Sequence, residues 1–208
     1  MTIFNPSEYQ EEYVIGADEV GTGTIAGPIV VVGVLAKRDW TYPGLNDSKQ
    51  LSEKQREKLE ILLKDNKDIV FHIAERSSKD VDESFSGALK SAYFEVYENL
   101  YKKAVGSVLF IADGKLKIDT SAICKSQFIS FVKGDTYIPH VMVASILAKT
   151  YRDAQMRELH KQFPNYSWDD NKGYGTKKHL DAIEKYGVSD LHRKSFAPIK
   201  KILANERN

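Results

Sequence analysis

Two adjacent carboxylates, Asp18 and Glu19, end an apolar run that begins at Tyr13, and a glycine-rich turn follows at once. Two negative charges side by side at the end of a strand repel each other, and a bound cation is the usual reason for such a pair. Glycines in the turn allow another backbone, such as that of a nucleic acid, to come close. The pair and the turn together indicate a metal-dependent enzyme that acts on phosphodiesters.

Two further acids also follow strand-like runs: Asp113 ends the sequence VLFIAD and Asp135 ends FISFVKGD. In open α/β sheets, ligands lie outside the carboxyl ends of the strands, so we expect these acids to converge with the first pair. An oxygen-only ligand set suits Mg²⁺ or Mn²⁺ and argues against zinc. Such a cluster can hold two ions about 4 Å apart, as phosphoryl chemistry requires. The predicted catalytic and metal-binding residues are therefore Asp18, Glu19, Asp113 and Asp135.

The glycine turn also admits a different interpretation. Gly21-Thr22-Gly23 followed by Ala26 fits the G-x-G-x-x-G/A pattern of dinucleotide sites. That pattern requires a helix to follow the turn, with its N-terminus at the pyrophosphate. Residues 28–35 (PIVVVGVL) instead predict a strand. A nucleotide-binding oxidoreductase, which would bind NAD saturably, is therefore the weaker alternative.

Apolar periodicity places these residues on alternating elements of an α/β fold. We expect five strands, at 13–18, 28–35, 69–74, 108–112 and 128–132. We expect helices starting at Ser52 and covering 81–105, 141–160, 176–186 and 197–205. Helices and strands mix, and the first three strands are joined by short links, so the sheet is expected to be mixed rather than fully parallel.

Composition describes an ordinary globular protein of 208 residues, with 42% hydrophobic and 28% charged residues. Residues 1–140 carry 17 Lys and Arg against 21 Asp and Glu, whereas residues 141–208 carry 13 against 8. An acidic body with a basic C-terminal third suits a protein that holds cations in one place and phosphates in another. With no secretory signal, no membrane span and a single cysteine, Cys124, we expect a cytoplasmic protein.

The chain resembles bacterial ribonuclease HII, a type 2 ribonuclease H, from about Tyr13 to Lys200. The resemblance depends on an ordered set of motifs, of which any one alone could be a coincidence. They are GADEVGTGTIAGPIV at 16–30, NDSKQLSEKQRE at 46–57, ADGK at 112–115, KGDTYIPHVMVASILAKTYRD at 133–153, NKGYGTKKHLDAI at 171–183 and HRKSFAPIK at 192–200.

This resemblance implies a ribonuclease H-like catalytic domain over residues 1–160, with a five-stranded mixed sheet flanked by helices. It implies that residues 161–208 form a helical C-terminal extension that contributes to substrate binding within one compact unit. The implied activity is cleavage of the RNA strand of RNA–DNA hybrids and of ribonucleotides embedded in duplex DNA, leaving 5′-phosphate and 3′-hydroxyl ends. The family's four metal ligands fall on the four acids selected above, with two Mg²⁺ or Mn²⁺ ions in the catalytic complex. We expect a monomer that does not bind membranes.

The resemblance also implies substrate contacts. Tyr174, in the KGY motif, matches a tyrosine that stacks on the sugar next to the ribonucleotide. The backbone amides of Gly21, Thr22 and Gly23 match the turn that contacts the 2′-hydroxyl. Positions that match residues near the nucleic-acid backbone are Lys49, Ser145, Lys149, Lys172 and Arg193.

One residue departs from the family pattern, which usually has Gly-Arg-Gly where this chain has Gly21-Thr22-Gly23. Threonine keeps the backbone amides but loses a side chain that reaches a phosphate. With a threonine at this position, the turn resembles that of the sister family, ribonuclease HIII, which has threonine or serine there. We therefore expect weaker cutting at a single embedded ribonucleotide than in continuous hybrid. A nucleic-acid-binding module without catalysis remains a further alternative, in which hybrid binding survives EDTA and no cleavage occurs with Mg²⁺ or Mn²⁺.

Overall fold

A five-stranded mixed sheet forms the centre of the fold, as predicted. The computed structural model describes residues 4–45, 51–123 and 127–205. The spatial order is β3-β2-β1-β4-β5, and β1 runs parallel to β4, which runs parallel to β5. The strands are β1 (Tyr13–Val20), β2 (Ile29–Lys37), β3 (Val70–Arg76), β4 (Val108–Asp113) and β5 (Phe128–Phe131).

Eight α-helices accompany the sheet in the described residues. They are α1 (Glu53–Lys64), α2 (Ser78–Glu83), α3 (Phe85–Tyr101), α4 (Gly134–Tyr137), α5 (Pro139–Gln162), α6 (Trp168–Asn171), α7 (Lys177–Tyr186) and α8 (Ala197–Asn205). The predicted start of α1 is confirmed, because Ser52 and Gln55 form a reciprocal capping box there. The single helix expected over 81–105 is wrong: Ser84 is extended and separates α2 from α3.

The three central strands carry almost continuous apolar runs, because both faces of the sheet are covered. A close helix contact fixes the middle of β1. A β-carbon added at Gly16 would lie 2.6 Å from the Cβ of His140 and 2.7 Å from the backbone nitrogen of Val141, in the first turn of α5. Only glycine allows this approach. It places the start of α5 against β1 two residues before Asp18.

The chain forms two compact units. The first, here called the sheet unit, comprises Met1–Val20, Val31–Ala74 and Lys90–Thr150. The second, called the loop unit, comprises Gly21–Val30, Glu75–Leu89 and Tyr151–Asn208. The loop unit has its own apolar core around Trp168, which is fully buried. The division expected at residue 160 stays a prediction. Among the described residues, no helix combines the length and apolarity needed to cross a membrane.

Candidate active site

The parallel pairing of β1 with β4 brings the first two acidic strand ends together. The last paired residues are Ala17 and Ala112, and each is followed directly by an aspartate, Asp18 or Asp113. Both aspartates therefore lie side by side at the carboxyl end of the β1–β4 pairing, although β1 itself continues to Val20. The expected convergence of these two strand ends is observed.

Asp135 reaches the same region from a different element. The chain leaves β5 at Phe131, turns through Lys133 in the left-handed region at φ 64°, and enters α4. The backbone N–H of Gly134 donates to Asp113 Oδ1 at 2.7 Å. Asp135 was expected at a strand end, but it lies in the first turn of this short helix and is almost fully buried.

The carboxylates perturb one another electrostatically. Burial raises the pKa of Asp18 well above its usual range, and the charges of Glu19 and Asp113 raise it further. Burial also raises the pKa of Glu19, with a contribution from Asp113. The pKa of Asp113 is raised by burial and then by Asp135. All four acids thus belong to one coupled cluster in the sheet unit, in which each negative charge is costly.

Two neutral side chains orient members of this cluster. Ser145, on α5, hydrogen-bonds to Asp18, which favours the charged carboxylate. This serine is buried, and its expected position near the nucleic-acid backbone stays a prediction. Tyr93, on α3, is fully buried and its hydroxyl donates to Glu19 Oε2. The local sequence gives no signal for this contact of Tyr93, because a tyrosine in an apolar helix usually packs in the core.

The donor set of the cluster fits a hard divalent cation in its chemistry. All four side chains offer oxygen, and their mutual repulsion is what a bound cation relieves. Within the described residues, no three His, Cys, Asp or Glu side chains stand close enough to share one ion in their present rotamers. The four acids are therefore coupled through their charges without forming a closed ligand shell.

In the loop unit, residues 21–27 include three glycines. The local backbone and packing require glycine at two of these positions but not at the third. Gly21 and Gly27 have φ of +87° and +80°, and a β-carbon at either would collide with a neighbouring side chain. A β-carbon at Gly23 would meet nothing within 4 Å. The segment continues into β2, so the helix that a dinucleotide site needs is not formed at this turn.

Arg193 supports this turn from inside the loop unit. Its side chain is fully buried, and its Nε and Nη2 donate to the carbonyl of Gly27 at 3.1 and 2.9 Å. The expected position of Arg193 near a nucleic-acid backbone stays a prediction. Arg193 contacts the turn itself, and burial is the main cause that lowers its pKa to about 9.

Tyr174 projects from a loop between α6 and α7 and is 42% exposed. Its N–H donates to the carbonyl of Asn171 at 2.9 Å, and its own carbonyl accepts from Nδ1 of His179 at 2.9 Å. The ring is thus presented on a tightly bonded loop. Such an exposed aromatic ring suits stacking on a sugar or base.

The remaining predicted lysines have different environments. Lys172 adopts a left-handed backbone conformation at φ 50° and ends α6. Lys149 lies on α5 one turn after Ser145 and is half-buried. Lys49 falls outside the described residues.

None of the buried histidines has the properties of a general base near neutral pH. Burial lowers the pKa of His140 to about 4. The pKa of His192 is lowered to about 4 by burial and by His179. With pKa values this low, both imidazoles are uncharged near neutral pH.

Known proteins match the chain over most of its length. The sequence model of the family described as Ribonuclease HII matches residues 15–199. A ribonuclease HII of Chlamydia caviae is 40% identical over 205 residues, which cover 97% of this chain and 93% of the relative. A ribonuclease HII of Neisseria meningitidis serogroup B is 38% identical over 194 residues, covering 92% and 95%.

Solved structures share the fold. Ribonuclease H2 from Pyrococcus horikoshii OT3 superposes with a TM-score of 0.73 at 23% identity, covering 94% of this chain and 99% of that one. Bst-RNase HIII in complex with Mn²⁺ gives a TM-score of 0.70 at 20% identity, covering 98% and 73%. The chain belongs to the ribonuclease HII family and is a ribonuclease H, an enzyme that acts on RNA–DNA hybrids.

Proposed function

We propose that Asp18, Glu19, Asp113 and Asp135 hold two divalent cations, Mg²⁺ or Mn²⁺. We propose further that the enzyme cuts continuous hybrids and ribonucleotides embedded in duplex DNA, leaving 5′-phosphate and 3′-hydroxyl ends. The observation that carries the proposal is that burial, together with neighbouring carboxylate charges, raises the pKa values of Asp18, Glu19 and Asp113. The Mn²⁺ in the HIII structure of similar fold adds support.

The chain's own residues have separate roles in this proposal. When bound, the ions would lower the pKa of water and stabilise charge on the leaving oxygen. Tyr93 holds Glu19 and the N–H of Gly134 holds Asp113, so these two carboxylates keep fixed orientations. Ser145 favours the charged form of Asp18. Oriented, ionised carboxylates lose less freedom when they bind a cation or a phosphodiester in its reacting geometry.

For the substrate, we propose that Tyr174 stacks on the sugar next to the ribonucleotide and that the turn at 21–23 contacts its 2′-hydroxyl. Residues 161–208 would then supply substrate contacts as a C-terminal extension of the catalytic domain over 1–160. Lys49, Lys149 and Lys172 would approach the backbone phosphates. The enzyme would act as a monomer on RNA–DNA hybrid or ribonucleotide-containing DNA.

Cleavage of a fluorescent RNA–DNA hybrid tests the enzymatic proposal. With Mg²⁺ or Mn²⁺ we expect cuts in the RNA strand, and with EDTA we expect none. Binding of the hybrid without cleavage under all three conditions would favour the non-catalytic module.

Tyr174→Ala is expected to weaken binding of a duplex with one embedded ribonucleotide by about tenfold, since aromatic stacking on nucleic acid contributes about 1–3 kcal/mol. Fluorescence anisotropy measures the loss. Tyr186→Ala is the matched control, because Tyr186 is a comparably exposed tyrosine of the loop unit at the end of α7. Equal losses in both variants would contradict a specific role for Tyr174.

Thr22 is expected to set substrate preference. The wild-type kcat/KM should be lower for a single embedded ribonucleotide than for a run of ribonucleotides, because no side chain at position 22 reaches a phosphate. Thr22→Arg should raise kcat/KM on the single-ribonucleotide duplex about tenfold or more, because one charge-assisted hydrogen bond contributes about 1.5–3 kcal/mol. Comparable wild-type rates on the two duplexes would refute this preference.

A further inference from the structure

Arg152 connects two segments of the loop unit. It lies on α5 and is fully buried. Its Nε donates to the carbonyl of Pro28 at 2.9 Å, and Nη2 donates to Thr24 Oγ1 at 2.9 Å and to the carbonyl of Ala26 at 3.1 Å. Its Nη1 donates to the carbonyl of Lys172 at 2.8 Å. One planar guanidinium thus binds both the glycine-turn segment and the loop that carries the exposed tyrosine.

A directed hydrogen-bond chain runs from this arginine to the glycine turn. Arg152 donates to the hydroxyl oxygen of Thr24, and that hydroxyl donates to the carbonyl of Gly21 at 3.0 Å. In a planar trans peptide, the carbonyl and the next N–H point in opposite directions. Fixing the Gly21 carbonyl inward therefore directs the N–H of Thr22 away from the buried arginine.

The side of the 21–23 turn that faces Arg152 is tightly packed, whereas the opposite side is exposed. A β-carbon at Gly21 would lie 2.3 Å from Arg152 Nε, so the arginine lies directly beneath the turn. Gly23 is exposed, and a β-carbon there would meet nothing within 4 Å. Neither a positive φ nor the packing of the described residues requires glycine at position 23. The outer side of the turn therefore has room for the close approach of a ligand.

The tyrosine loop is attached to the same segment. Gly173, at φ +83°, accepts a hydrogen bond from the N–H of Ile25 at 2.9 Å. A β-carbon at Gly173 would lie 2.5 Å from the carbonyl oxygen of Ala26. Because Arg152 binds the carbonyl just before Gly173, it fixes the backbone immediately preceding Tyr174.

Hydrogen bonds offset the cost of burying the Arg152 charge. Burial lowers the pKa of Arg152 to about 10, so the fold keeps a cation where the charge is disfavoured. A guanidinium offers five donors in one plane, and here four hydrogen bonds reach four acceptors on two segments. A lysine ammonium has three donors on one atom and cannot reproduce that geometry.

We propose that Arg152 is a positioning residue for substrate recognition, which holds the 21–23 turn and Tyr174 in one fixed arrangement so that a ribonucleotide is distinguished from a deoxyribonucleotide. This inference rests on the proposed function, in which these two segments contact the ribonucleotide. Arg152 itself touches no substrate in this proposal. It acts through the Thr24 hydroxyl and through the backbone before Gly173.

Two variants test the proposal, one that changes the whole donor set of Arg152 and one that removes a single hydrogen-bonding group. Arg152→Lys keeps a positive charge but loses the planar donor set. Thr24→Val removes only the hydroxyl that links Arg152 to Gly21, at almost constant volume. Thr150→Val is the matched control, because Thr150 is another buried threonine, whose hydroxyl donates to the carbonyl of Ile146 at 2.9 Å within α5.

The readout is the preference for a ribonucleotide, defined as the Kd for an all-DNA duplex divided by the Kd for the same duplex with one ribonucleotide. It is measured on the Asp135→Asn background, which prevents cleavage in the proposed function. We expect Thr24→Val to lower this preference about tenfold, the effect of losing one well-placed hydrogen bond. Arg152→Lys should lower it further, and Thr150→Val should leave it unchanged.

Tyr174→Ala, measured in parallel, separates failure of this inference from failure of the proposed function. If Tyr174→Ala lowers the preference but folded Thr24→Val retains the wild-type value, the positioning role of Arg152 is wrong and the proposed recognition stands. If even the parent enzyme shows no preference, the proposed recognition is itself wrong. Should Arg152→Lys fail to fold, the result for Thr24→Val decides.

Discussion

Asp113→Asn is expected to lower kcat/KM for an RNA–DNA hybrid by on the order of 10³-fold or more, because it removes a charge that the reaction requires. The substitution keeps the size of the side chain. Its amide oxygen still accepts the N–H of Gly134, so the local turn should persist. Steady-state cleavage with Mg²⁺ measures the effect, and circular dichroism checks the fold.

Asp119→Asn is the matched control for this loss. Asp119 belongs to the same sheet unit, is exposed, and accepts a hydrogen bond from the N–H of Ser121 at 2.9 Å. It should retain nearly full activity. If Asp113→Asn also cleaves at a near-normal rate, the carboxylate cluster at the ends of β1 and β4 is not the catalytic site.

Substitution of the buried Asp18 is expected to stabilise the metal-free protein, whereas most substitutions of buried residues destabilise. Without divalent metal at pH 7, Asp18→Asn is expected to melt at a higher temperature than the wild type. Burial and the charges of Glu19 and Asp113 raise the pKa of Asp18, so its ionised form destabilises the folded chain. One pKa unit corresponds to about 1.4 kcal/mol, or about 3–6 °C for a chain of this size.

The pH dependence follows from the direction of this shift. An acid whose pKa is raised on folding has no destabilising effect below its unfolded pKa of about 3.9. The penalty grows as the pH rises towards the folded pKa of Asp18 and is fully present above it. The difference in Tm between variant and wild type should therefore vanish near pH 4. Differential scanning calorimetry in EDTA across pH 4–8 measures it.

Divalent metal should reduce or reverse the difference in Tm between the two proteins. A cation that binds only the folded state adds stability in proportion to its occupancy. Mg²⁺ should raise the Tm of the wild type more than that of Asp18→Asn, which has lost one proposed ligand. Equal increases in both proteins would show that Asp18 is not a metal ligand. A variant that melts below the wild type in EDTA would show that the charge of Asp18 does not destabilise the fold.

The convergence of Asp18 and Asp113 could be predicted from sequence because parallel strands end at the same edge of a sheet. Both acids directly follow apolar runs, and the pairing of Ala17 with Ala112 puts the two strand ends in register. The helix cap at Ser52 was equally predictable, since the capping box is a local interaction.

Other features depend on tertiary contacts that a local pattern does not contain. Asp135 enters the cluster from α4, because the chain turns at Lys133 before the helix begins. Ser84 breaks the helix expected over 81–105, although the capping box of Ser77 and Asp80 was a readable signal of a separate short helix.

The buried polar residues were harder still to foresee. Arg152 and Tyr93 lie on helices, where an arginine usually faces solvent and a tyrosine usually packs in the core. Their partners are 128 and 74 residues away along the chain, at Thr24 and Glu19. No spacing rule links positions so far apart, so these supports of the site become visible only in the folded structure.

The fold by itself does not decide substrate preference, because structures of both H2 and HIII type superpose on this chain with similar TM-scores. In the proposed function, the distinction depends on the turn at 21–23, where this chain has Thr22. Kinetic comparison of the two duplex types is therefore informative in a way that further structural comparison is not.

In the proposed function, Asp18, Glu19, Asp113 and Asp135 together bind divalent cations. Anomalous diffraction at the manganese edge, from crystals grown with Mn²⁺ and a ribonucleotide-containing duplex, tests it most directly. We predict two anomalous peaks, each in contact with carboxylate oxygens of these four residues. Saturating Mn²⁺ with no peak at these carboxylates, or with peaks only elsewhere on the chain, would contradict the claim.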